Sequence, residues 1–79
     1  MDTTPTRIVV FWRMYDGYRN HLCQQEFVRG SSVSVATALR FALNITQQYE
    51  DFAGALGFLV NPTPEVVDET CEALAKSLL

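Results

Sequence analysis

From Thr6 to Tyr15 nearly every position is apolar or aromatic, interrupted by Arg7 and Arg13 and closed by Asp16-Gly17. β-branched and aromatic residues without Gly or Pro predict a strand. Because strand side chains alternate, Ile8, Val10, Trp12 and Met14 share one face, and Arg7, Val9, Phe11, Arg13 and Tyr15 share the other. Apolarity on both faces predicts a central strand, with one face in the core and the other covered or turned to a partner.

Asp16-Gly17 suits a two-residue hairpin turn, since both residues tolerate positive φ. That register sets Tyr15 against Tyr18, Phe11 against Leu22, Val10 against Cys23 and Arg7 against Glu26. A longer loop through Arg19-Asn20 is the alternative. The second strand, about His21 to Val28, carries Gln24, Gln25 and Glu26 and reads as a polar edge.

Beyond Arg29-Gly30-Ser31-Ser32 the period changes. Val35, Leu39, Ala42, Ile45 and Tyr49, widened by Ala38 and Leu43, make a helical stripe, with Thr37, Arg40, Asn44 and Gln47 opposite. Ser32 or Ser34 is its cap. The helix runs to Gln48 or Tyr49, or extends to Ala53 with Gly54 as its stop; alternatively a loop begins at Glu50. Leu56 to Val60 predicts a third strand. Thr63-Pro64 then opens a second helix, with Val67, Cys71, Leu74 and Leu78 on its apolar side and Glu65, Asp68, Glu69, Glu72 and Lys76 on its wet side.

The order β-β-α-β-α predicts a single small α+β domain over residues 1–79, with 1–5 as a disordered arm. A right-handed return through the first helix sets strand three beside strand one, giving a three-stranded antiparallel sheet. Both helices are expected on the Ile8 face. Phe11, Arg13, Tyr15 and Tyr18 are then left on an open sheet surface.

Composition adds limits. With 48% hydrophobic and 19% charged residues, the chain has enough apolar content to fold. The net charge of −3 is split. Five arginines against three acids make residues 1–40 basic, and Lys76 against six acids makes residues 41–79 acidic. The basic excess is too small for duplex DNA. Two cysteines, a polar start and no apolar run near the ~20 residues that span a bilayer point to a cytoplasmic chain with free thiols.

Candidate chemistry is sparse. His21 and Cys23 share one side of a strand but have no third partner, so no catalytic residue, metal site or cofactor is expected. Glu65, Asp68, Glu69 and Glu72 make either a solvated helix face or an acidic surface for a basic protein. Phe11, Arg13, Tyr15 and Tyr18 make a protein interface, a homodimer contact included, a platform on which single-stranded RNA stacks, or a face covered by the chain's own residues 49–56.

In length, in acidity, in the 7–15 strand with its Asp16-Gly17 turn and in the acidic 65–72 helix face, the chain resembles the phage-encoded anti-CRISPR inhibitors. That resemblance implies a non-enzymatic protein that binds a basic nucleic-acid-handling effector in the host cytoplasm and blocks its target DNA. A second likeness, through Gly17-Tyr18 and the 32–49 helix, is to HicB-type antitoxins.

Overall fold

The apolar run becomes β1, Thr6–Tyr15, and it is central as its two-sided apolarity requires. In the computed structural model, which describes residues 4–78, β2 (Asn20–Arg29) and β3 (Phe52–Val60) flank it antiparallel in the order β2-β1-β3. Helices α1 (Val35–Gln47) and α2 (Pro64–Ser77) complete the β-β-α-β-α order of this α+β fold. Residues 1–3 of the expected arm lie outside the described residues.

The hairpin is two residues out of the expected register. Tyr15 pairs with Asn20, Phe11 with Gln24 and Trp12 with Cys23, around a loop over residues 16–19. The cause is Asp16. Its Oδ1 accepts the N–H groups of Tyr18 and Arg19 at 2.8 and 3.0 Å, an Asx turn that holds the loop open while Gly17 takes φ +96°. A shift of two keeps every side chain on its face. The Arg7–Glu26 ion pair therefore still forms, diagonally, at 3.0 Å.

α1 starts at Ser34, whose Oγ accepts the Thr37 N–H. It stops at Gln47, and Gly54 is not its cap. The chain turns back through residues 48–51, with Asp51 at φ +68°, and Asp51 C=O accepts the Tyr15 N–H at 3.0 Å. β3 thus begins at Phe52, four residues before the expected start. Two register shifts against β1, between Phe11 and Trp12 and between Arg13 and Met14, carry the extra residues as bulges.

The main core lies between α1 and the Ile8 face. Ile8, Val10, Trp12 and Phe27 pack on Ala38 and Ala42, with Leu39, Leu43, Ile45, Cys23 and Phe52 around them. Two alanines at the contact let the helix approach the sheet closely.

Only α1 occupies that face. On α2, Cys71 Sγ meets Gln24 Oε1 at 3.0 Å, and Val67 borders the groove with Val9 and Glu26. Gln24 and Glu26 stand opposite Phe11 and Val9, so α2 lies on the second face. β1 is apolar on both faces, and two helices on the Ile8 side would leave Val9 and Phe11 in water. Val9 is accordingly 4% exposed and Phe11 fully buried, and the open sheet surface expected there is covered.

Candidate functional site

α2 presents the acidic residues as its spacing predicts. Thr63 caps it through Oγ1 and the Val66 N–H, Pro64 occupies the first turn, and Glu65 adds favourable charge there. Val67, Cys71, Leu74 and Leu78 are half-buried. Glu65, Asp68, Glu69 and Glu72 are exposed on the outer side. Glu72 pairs with Lys76 at 3.6 Å, and among the described residues Glu65, Asp68 and Glu69 make no ion pair.

The four residues expected on the sheet surface do not converge. Phe11 is core. Arg13 is half-buried, with Nη1 donating to Asn20 Oδ1 and Nη2 to Ala53 C=O. Tyr15 is half-exposed at the strand end, and Tyr18 is 92% exposed on the loop. With Phe11 covered by α2, an RNA-stacking platform lacks its central ring.

His21 and Cys23 share a side of β2 but have separate partners. His21 Nε2 contacts Asp16 Oδ2 at 2.6 Å, and Cys23 Sγ lies 3.0 Å from Met14 Sδ. The Arg19 and Tyr18 backbone N–H groups and His21 together hold the Asp16 carboxyl far below the usual carboxylate range. Desolvation raises both thiols, and for Cys71 the charge of Asp68 adds to it. Raised thiols are poor nucleophiles. Among the described residues, no three of His, Cys, Asp or Glu gather closely enough to hold a metal ion.

A shallow groove of about 220 Å³ lies between β2 and α2, lined by Val9, Gln24, Gln25, Glu26 and Val67. It is smaller than the usual ~300–1,000 Å³ of small-molecule sites, and its one ionisable group, Glu26, is bound to Arg7.

Several contacts escaped the sequence reading. Tyr49 packs on Trp12 with ring centroids 5.6 Å apart and donates to Gln25 Oε1, and Arg29 stacks 3.8 Å over the Phe41 ring. The Asp16–His21 pair had a local signal, an Asx turn with a histidine five positions on. The others depend on how α1 and the turn that follows it lie across β1 and β2. No described helix is long and apolar enough to cross a membrane.

The chain matches no family model, no curated protein and no solved structure.

Proposed function

We propose that this chain is a non-enzymatic protein-binding module that meets a basic partner through the carboxylates of α2. One observation carries the reading: Glu65, Asp68, Glu69 and Glu72 share the outer side of a helix whose apolar side is committed to the sheet. A helix packed on one side only by half-buried residues keeps a wide solvent-facing arc, here acidic. Charge of one sign on such an arc attracts and orients a complementary surface, and it does so without any convergent reactive group.

A partner with a basic nucleic-acid channel fits this chemistry, because carboxylates spaced along a helix can occupy positions that phosphates would take. The module would then act as an inhibitor in the cytoplasm, in the manner of the anti-CRISPR proteins it resembles.

Affinity capture from nuclease-treated host lysate, with the chain and with the triple variant Asp68→Lys, Glu69→Lys, Glu72→Lys, tests the reading. A basic protein retained by the first and lost with the second, at unchanged circular dichroism, is the expected result. Equal retention by both overturns it.

A further inference from the structure

His21 and Cys23 lack a third partner in the sequence, and the hairpin register supplies one. Met14 stands directly opposite His21, and Cys23 stands opposite Trp12, so all four share the α1 face. In the tighter two-residue turn Met14 would face Arg19 instead. Cys23 Sγ donates to Met14 Sδ across 3.0 Å, bringing thiol and thioether together diagonally between the strands. Directly opposite residues have Cβ atoms about 4.5–5.5 Å apart, so His21 borders Met14 on its other side. Tyr49, just past the end of α1, packs on Trp12. Met14 lies two residues nearer the hairpin loop, beyond the cover of the helix. Met14 and Cys23 are half-buried there, and His21 is exposed.

The histidine is already oriented as a ligand. Its Nε2 contacts Asp16 Oδ2 at 2.6 Å, and Asp16 is itself fixed by the Tyr18 and Arg19 N–H groups. A carboxylate on one ring nitrogen holds the proton there and leaves a lone pair on the other, the arrangement usual behind a metal-bound imidazole. Among the described residues Nδ1 makes no hydrogen bond. The donor types select the ion. Zinc takes Cys, His or carboxylate ligands, four of them in structural sites, and an iron–sulfur cluster takes four thiolates. A thiolate, a thioether and an imidazole, three in number, suit a soft monovalent ion, copper(I).

We propose that Met14, Cys23 and His21 form a copper(I) site, with Asp16 positioning the imidazole. The ion replaces the proton that Cys23 shares with Met14. The Sγ–H bond breaks, a bond from Cys23 Sγ to copper forms, and the proton leaves to solvent with no change in oxidation state. With metal–sulfur bonds of about 2.3 Å, trigonal angles set the sulfurs about 4 Å apart, so they part by about 1 Å. Met14 absorbs that movement, being unbranched, flexible and half-buried. Trp12, opposite Cys23, closes the inner side, and the exposed His21 side gives the ion its way in. The site lies on the opposite face of the sheet from α2 and is independent of its carboxylates.

Anaerobic titration with copper(I), supplied as its acetonitrile complex and competed with bicinchoninate, tests the site. Cys71→Ser serves as the background, since it removes the second thiol. The expected result is one ion per chain, with quenching of Trp12, the single tryptophan. Cys23→Ser abolishes binding, and Met14→Leu and His21→Gln each weaken it by about tenfold or more at unchanged circular dichroism. His21 is exposed, so its variant carries the test if Met14→Leu fails to fold. Silver(I), which does not change oxidation state, shifts the Met14 methyl and His21 ring resonances together. An affinity that either folded variant leaves unchanged marks an adventitious thiol–copper contact only and overturns the proposal. So does failure of the chain to take copper(I) from the acetonitrile complex.

Discussion

The thiol of Cys71 donates to Oε1 of Gln24 across 3.0 Å, joining two residues 47 positions apart. Gln24 stands opposite Phe11 on β1, so this contact lies over the sheet's second face. From Val67 beside Glu26 to Cys71 beside Gln24, four helical residues advance about 6 Å and two strand residues about 6.6 Å. The match means that α2 runs along β2, over the sheet face that carries Val9 and Phe11.

Phe11 and Tyr18, two aromatics that the sequence grouped together, should therefore behave oppositely. Phe11→Ala removes a fully buried ring and is expected to cost about 3–5 kcal/mol. Tyr18→Ala, on the loop, should stay within about 0.5 kcal/mol. Urea unfolding followed by the fluorescence of Trp12 measures both.

Ala42, with no exposed surface, sets the distance between α1 and β1. Ala42→Leu should destabilise by about 1–3 kcal/mol or more despite its higher apolarity, because the added methylenes have no space. Ala36→Leu, on the exposed side of the same helix, should be near neutral.

Trp12 is buried, and its Nε1–H finds no partner among the described residues. Trp12→Phe loses apolar area and also removes an unsatisfied donor, two effects of opposite sign. The net loss should be under about 2 kcal/mol, smaller than for Phe11→Ala, when thermal unfolding is followed by circular dichroism.

Asp16 gives the loop a pH dependence. Its folded-state pKa lies below the unfolded value, so the unfolded chain takes up the proton first. The stabilisation is present above the unfolded carboxylate pKa of about 3.9 and is lost as pH falls through the folded value. Asp16→Asn should be less stable than the parent near neutral pH, and the gap should narrow toward pH 3. Urea midpoints of both chains across that range check the sign.

Both thiols should alkylate more slowly in the folded chain than in urea at pH 8, because desolvation lowers the thiolate fraction of each. Rates with iodoacetamide, resolved by peptide mass, separate Cys23 from Cys71.

The sequence by itself determined the elements and their faces. The two-sided run at Thr6–Tyr15 could be buried on both sides only as the central strand, and the periodicity of α2 assigned its wet and dry sides, because alternation and helical pitch are local geometry. Three things were settled in three dimensions. The hairpin register followed from side-chain oxygens of Asp16 capturing loop amides rather than from the turn signal alone. The start of β3 depended on bulges, through which an edge strand absorbs extra residues without any compositional mark. The division of the helices between faces came from burial on both sides of β1 at once, and which helix took which side depended on how the chain returned after β3 rather than on any single stretch. That last decision buried Phe11 and turned the carboxylates of α2 outward.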